Sequence, residues 1–257
     1  YKWVVSGDKY FNKNNPIGDP IAIPIKSLKT RILFPLWRLR NCDIGLKKSK
    51  KLFPINIRVV QIQPYKVIYE DNHIIAVNKA GGEVVQGDKT GDKPLSDVVK
   101  EYIKDKYNKP GNVYLGTVHR LDRPTTGLVI FAKTSKVLPR LNKLFLSKEI
   151  KKTYWAIVKN EPPKHDDTLI NWLRKNPKNN KSKAHSKEVS ESKKAILHYN
   201  VIKKLDNYFL LEVNLETGRH HQIRVQLSNI GCPIKGDLKY GFDRSNKDAS
   251  ISLHARH

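Results

Sequence analysis

The segment "KAILHYNVIKKLDNYFLLEVNL", residues 194–215, leaves little freedom of fold. Two apolar-rich runs of strand length flank a Leu-Asp-Asn turn, the signature of paired neighbouring strands. A hairpin this long needs further strands or a helix to cover it. From Val67 onward the chain supplies both. "KVIYEDNHIIAVNKAGGEVVQ" reads as strand, Asp-Asn turn and strand, ending at Gly-Gly. "GLVIFAKT" is a third strong strand, and "KKTYWAIV" is an alternating one in which Tyr154, Ala156 and Val158 share a face. "LSDVVKEYIKDKY" has apolar residues at 95, 98, 99, 102 and 103, the spacing of an amphipathic helix starting at Pro94 or Ser96. "SKVLPRLNKLFLSKEI" is read as helical despite Pro139. "ETGRHHQIRVQLSNIG" begins as a turn and becomes a helix, and "CPIKGDLKYG" is a glycine-punctuated loop. "WLRKNPKNNKSKAHSK", with six Lys/Arg and no acid, is expected to be a loop-rich basic segment. Many strands joined mostly by hairpins, with few helices, make an α+β chain with a mixed or antiparallel sheet.

Residues 1–64 are patterned differently. "KWVV" and "IAIPI" are short strand candidates, "TRILFPLWRLR" is interrupted by Pro35, and "LKKSKK" is a charge run. We expect a basic N-terminal extension over 1–64 and a main folded domain over 65–257. Methionine is absent and the sequence stops at "SLHARH", just after an apolar run begins, so both ends are read as cut and the 65–257 domain is expected to be truncated at its C-terminus.

The 257 residues carry 49 Lys/Arg against 24 Asp/Glu, a formal charge of +25. Such an excess favours a polyanionic partner, because each phosphate contact releases counterions; a lysine-rich proteome is the plainer explanation, and the two are compatible. Cys42 and Cys232 form no CxxC pair, which argues against a zinc ribbon and fits a reduced, cytoplasmic setting. No run reaches the ~18 apolar residues of a membrane span. No phosphate-binding Gly-rich motif is present. The histidines at 119, 220, 221 and 254 lack a zinc-site spacing. His220 and His221 would point different ways on a helix, so no metal is expected; no site for a cofactor stands out either.

One stretch concentrates the chemistry: "VHRLDRPTTGLVIFAKT", residues 118–134. Asp122 lies between Arg120 and Arg123. A carboxylate among arginines suits a nucleophile or an electrostatic partner, although Pro-Thr-Thr-Gly after it equally suits a turn aspartate. Tyr154 reads as a packed strand tyrosine or as a plate for a nucleobase. Arg219, after Gly218, and Arg224 read as phosphate binders or ion-pair partners. If the segment is helical from the start, Arg224 shares a face with His220 and His221.

Together these pieces resemble the RluA-type family of RNA pseudouridine synthases. The likeness rests on the order "HRLD…TTG", "KKTYWAIV", "ETGRHHQIRVQL", "GCPIKGDLKYG" and "LHA", running from about Val67 to His257. His119, Arg120, Leu121, Asp122, Thr125, Thr126 and Gly127 match the family pattern H-R-L-D-x-x-T-S/T-G. The resemblance implies an α+β pseudouridine synthase fold: a long, mixed, mostly antiparallel sheet with flanking helices and a central RNA-binding cleft. It implies conversion of uridine to pseudouridine in ribosomal or transfer RNA; a monomer is the default expectation. Asp122 would be the essential aspartate, acting at C1′ or removing the C2′ proton. Tyr154 would stack on the uracil, and Arg224 would pair with Asp122. Arg120 would open the RNA. His119, Thr126, Arg219 and Lys152 join the substrate-binding set, with Lys133 as a further RNA contact. The family's larger members carry an S4 RNA-binding domain first, of which residues 1–64 would be a partial remnant. The competing expectations are an RNA-binding factor without turnover and a metal-dependent RNA hydrolase.

Overall fold

The computed structural model describes residues 3–6, 9–12, 67–87 and 91–256. The chain divides into two compact units, Tyr1–Asn56 and Ile57–His257. In the first, β1 (Trp3–Ser6) and β2 (Lys9–Asn12) form an antiparallel hairpin. The expected "IAIPI" strand, the Pro35 break, the "LKKSKK" run and the S4-like remnant lie outside the described residues.

The second unit is built on a ten-stranded sheet. β3 (Val67–Glu70) and β4 (Ile74–Lys79) pair around the expected Asp-Asn turn, where Asp71 Oδ1 accepts the N–H groups of His73 and Ile74. β5 (Gly116–Thr117) and β4 both pair with β6 (Thr126–Ala132). β7 (Lys152–Val158) pairs with β11 (Phe209–Leu215), β11 with β10 (Lys193–Lys204), and β10 with β8 (Asp166–Asn176). β9 (Lys181–His185) closes that edge, and β12 (Leu253–Ala255) enters the middle. The order is β3-β4-β6-β12-β7-β11-β10-β8-β9, and β12 against β6 is its parallel pairing. The mixed, mostly antiparallel sheet is therefore as read from the sequence.

The β8–β9 hairpin corrects the expectation of a loop-rich segment there. Lys and Asn mask an alternating pattern in which Leu173 and Ala184 face inward while Arg174 and Lys183 are exposed. Asn supplies the turn: the Asn176 and Asn179 side chains accept the N–H groups of Lys178 and Lys181, and Asn180 takes a left-handed backbone at φ 49°.

Helix α1 (Leu95–Lys106) buries Leu95, Val99 and Ile103 at four-residue spacing. The carbonyls of Val84 and Val85 receive its first free N–H groups. In α2 (Val137–Leu146), Pro139 sits in the first turn, where its missing N–H costs no helical bond. Helix α3 (Gln222–Asn229) is covered all round, with Gln222 through Leu227 buried.

Two apolar clusters flank β12. One joins β4, β6 and α1 through Ile75, Val77, Val99, Ile103 and Phe131; the other joins β7, β10, β11 and α3 through Val158, Leu197, Leu211, Val213 and Leu227. Tyr154 packs against both. β12 can lie beside β6 because of Gly127, whose φ is +117° and whose missing Cβ would overlap the Ala255 carbonyl.

Candidate active site

Asp122 sits in the loop between β5 and β6, and that loop is held from below by a lysine. Lys79, at the end of β4, is 1% exposed. Its ammonium donates to the carbonyls of Ala80 at 2.9 Å, Arg123 at 2.9 Å and Thr125 at 2.7 Å. Three N–H groups meet three acceptors, so the buried cation is satisfied. Burial lowers its pKa to about 8, leaving it charged at neutral pH. The loop closes with Thr125 N–H donating to the Asp122 carbonyl. Arg123 is spent on the same frame, donating to the Gly82 carbonyl and pairing with Asp92.

The carboxylate of Asp122 meets Arg224 of helix α3, which packs on the other half of the sheet. Arg224 Nη1 donates to Asp122 Oδ2 at 3.2 Å. The expected pair is therefore present, but it is the arginine's lesser contact. Nε and Nη2 donate to the two oxygens of Asp237 at 2.7 and 2.8 Å, a bidentate grip with both partners buried. Burial works against the charge on Arg224, yet the Asp237 hydrogen bonds and charge, with that of Asp122, raise its pKa above the ordinary value. The Tyr240 ring lies under the guanidinium, 5.1 Å from ring centre to Cζ.

His220 and His221 do not share the helix with Arg224, because α3 starts at Gln222 and His221 is left-handed at φ 53°. Their rings stack, centroids 3.7 Å apart, instead of diverging. Ser182 N–H donates to the Tyr240 hydroxyl, which is hydrogen-bonded in turn to His221 Nδ1, each at 2.8 Å. The other ring nitrogen, Nε2, faces Asp122 Oδ2 at 3.7 Å, beyond hydrogen-bond length. Burial, then the charge of Arg224, pushes the His221 pKa down to about 2, so the ring is neutral at working pH.

Tyr154, on β7, completes the wall. Burial and the negative charge of Asp122 push its phenol up to about 12, which keeps it protonated. Its neighbour Trp155 faces the other way, under the Arg256 guanidinium at 4.2 Å.

The remaining candidates fall into two groups. Arg120 and Arg219 are exposed; Arg219 Nε donates to the Lys194 carbonyl. Lys152 is half-buried beside Gly218, and burial lowers its pKa. The others are engaged within the fold. His119 Nε2 accepts the Ile130 N–H and the ring stacks on Phe145; burial, with the charge of Lys152, takes its pKa to about 4. Thr126 Oγ1 lies 2.9 Å from His254 Nδ1, a link between β6 and β12. Lys133, its side chain 8% exposed, pairs with Glu70 and donates to the Asp71 carbonyl.

Sequence reasoning passed over Lys79, Asp237 and the Ser182–Tyr240–His221 chain. One signal was available: Asp237 is the single acid between Thr217 and Phe242, a stretch that also holds Arg219 and Arg224. Among the described residues no group of three or more His, Cys, Asp or Glu side chains is arranged to hold a metal ion, and no helix is long and apolar enough to cross a membrane.

The chain is similar to proteins of one family. Residues 73–229 match the family described as RNA pseudouridylate synthase. A ribosomal large subunit pseudouridine synthase C of Rickettsia conorii is 32% identical over 239 residues, covering 93% of this chain and 69% of that protein. A tRNA pseudouridine synthase C of Pectobacterium carotovorum is 31% identical over 244 residues, covering 88% of this chain and 63% of its relative. The chain thus spans roughly two-thirds of the length of these curated relatives. In fold it resembles human RNA Pseudouridylate Synthase Domain Containing 4, with a TM-score of 0.62 and 24% identity over 74% of this chain and 82% of that one. The chain belongs to the RNA pseudouridylate synthase family, whose members are isomerases.

Proposed function

We propose that this protein isomerises uridines to pseudouridine in structured RNA, with Asp122 as its essential carboxylate. The supporting observation is that Asp122 alone of the site's acids is open, its side chain 30% exposed, while Arg224 and Asp237 beneath it are buried. The reaction breaks the N1–C1′ bond, turns the uracil and joins C5 to C1′; C5 gives up its proton and N1 gains one. Bond breaking places positive charge on the sugar, as in glycoside cleavage. A fixed carboxylate either stabilises that charge or adds to C1′, or it takes the C2′ proton. Arg224 holds Asp122 in place and is itself held by Asp237, so the carboxylate needs no reorganisation as charge develops. Tyr154 provides an aromatic face for the uracil and a phenol that stays protonated. Taking the base out of its stack costs a few kcal/mol, and stacking returns about 1–3 kcal/mol per base. In this reading Arg120, exposed and two residues before Asp122, occupies the vacated stack.

We take residues 65–257 as the catalytic domain and residues 1–64 as a basic appendage on the RNA. The substrates are ribosomal or transfer RNA, as the names of the relatives say of those proteins. The enzyme is proposed to act as a cytoplasmic monomer without a cofactor.

Tritium release from RNA labelled at C5 of uridine tests the reading directly. Wild-type protein should release tritium from ribosomal or transfer RNA transcripts without added nucleotide. Asp122→Asn should lose roughly 10³-fold or more of that rate while keeping RNA affinity. Equal release by the two proteins would end the assignment of Asp122, and no release by wild type would end the isomerase reading.

A further inference from the structure

Beside the carboxylate, on the far side of the stacked histidines, lies a cleft of about 270 Å³ between the β8–β9 hairpin and the turn at Gly218–His220. Lys175, Lys193 and Arg219 line it, with Ser182 and His220 on its wall and Glu191 as its one acid. The strand register explains the convergence. Lys193 stands opposite Leu173, Lys175 is two residues further along the same strand, and Ser182 is opposite Lys175, so all project from one face. That face is the one covered by α3, since Gln226 of α3 donates to the Leu169 carbonyl and to Asn171 of β8. Burial holds His220 and His221 towards the neutral form, and the charge of Lys175 acts on both rings in the same direction.

Three features make the cleft a receptor for anions. Its three cations are exposed, and among the described residues none of them is in an ion pair. Arg219 is pre-set: Nε is tied to the Lys194 carbonyl, which orients the guanidinium, and its two terminal nitrogens have no hydrogen-bond partner among the described residues. Lys152 reaches the same turn from β7, its Nζ 3.6 Å from where a side chain on Gly218 would begin, so the positive surface continues past Gly218. The cleft meets the catalytic loop through His220 stacked on His221, whose Nε2 is 3.7 Å from Asp122.

We propose that this cleft binds the backbone phosphates of the RNA strand next to the target uridine, with Lys175, Lys193 and Arg219 as the phosphate ligands. The proposal rests on the RNA reading given above and deepens it. Phosphate contacts fix the register of the strand without reading sequence, so the cleft sets where along the RNA Asp122 acts.

The test is salt-dependent binding of a fluorescein-labelled oligouridylate of about ten nucleotides to the full chain. Lys175→Gln, Lys193→Gln and Arg219→Gln are combined in one variant, and Lys183→Gln, on the opposite face of the same hairpin, serves as the control. Each lost contact to a single strand should lower the slope of log Kd against log salt by about 0.7. The triple variant should therefore lose about 2 from the slope, and the control nothing. In the tritium assay the triple variant should raise KM more than it lowers kcat. An unchanged slope in a triple variant that melts at the wild-type temperature overturns the proposal. If the triple variant does not fold, Lys193→Gln alone decides, by a slope change of about 0.7 or none. A wild-type protein that binds with the full slope but releases no tritium would refute the isomerase and leave the phosphate cleft standing.

Discussion

The two edges of the sheet carry similar numbers of cations and use them in opposite ways. At the β3 edge they are neutralised. Glu70, its side chain 7% exposed, receives Lys106 and Lys133, each at 2.7 Å, and the Tyr107 hydroxyl at 2.8 Å. Lys93 pairs with Glu101 and Lys100 with Asp97 nearby. At the β9 edge Arg174 stands directly across from Lys183, and neither these nor Lys175, Lys181 and Lys193 have an ion-pair partner among the described residues. Like charges opposed across strands weaken a sheet. One edge uses its charge in folding; the other leaves it unpaired, and only its Lys175–Lys193 face is proposed to take an anion from outside.

The largest expected effect falls between the edges. Asp237→Asn leaves the buried Arg224 without its bidentate partner, at a cost of about 3–5 kcal/mol, or roughly 10 °C in Tm. Tritium release should fall with it, because Asp122 loses a fixed neighbour; calorimetry and the release assay check the two parts separately. Next comes Glu70→Gln, expected to cost about 1–2 kcal/mol with RNA affinity unchanged. Burial alone would raise the Glu70 pKa, but the hydrogen bonds from Lys106, Lys133 and Tyr107 bring it to about 2, against an ordinary 4.5. The unfolded chain therefore takes up this proton first as the pH drops. The stabilisation is complete above about pH 4.5 and disappears towards pH 2. Urea titrations across that window should show the loss in wild type and a flatter profile in Glu70→Gln. The smallest effect belongs to the other edge. Lys183→Glu turns a repulsive cross-strand pair with Arg174 into an attractive one and should stabilise by about 0.5 kcal/mol. A destabilised Lys183→Glu would erase the contrast between the edges.

What the sequence made legible follows the range of the interactions. The hairpin at residues 194–215 and the helix at Leu95–Lys106 are written in alternation and four-residue spacing, and both are found where expected. The β8–β9 hairpin was hidden because its exposed face is written in lysine and asparagine, residues that composition assigns to loops. At the site, Asp122 and Arg224 were legible through a motif, although 102 residues separate them. Lys79 was not, because its acceptors are backbone carbonyls up to 46 residues away and carbonyls carry no residue identity. The state of His221 depends on a hydroxyl from residue 240, itself engaged by an N–H from residue 182. Such a chain exists only once three separate segments have met.

The place of β12 has a consequence for the order of events as the protein is made. β6 and β7 each pair with β12 and not with one another, yet β12 is last in sequence among the described strands. Its contact with Thr126 closes a loop of 128 residues, a slow step because the chain entropy is lost before the contact forms. A ribosome delivers β3 to β6 first and β7 to β11 later, so the two halves can mature as separate hairpin stacks. Asp122 stands on the first and Arg224 on the second. Docking of three residues, Leu253–Ala255, seals the seam between them. A nascent chain therefore carries Asp122 and Arg224 well before the two can meet across the seam, and their pairing waits until synthesis has passed that strand.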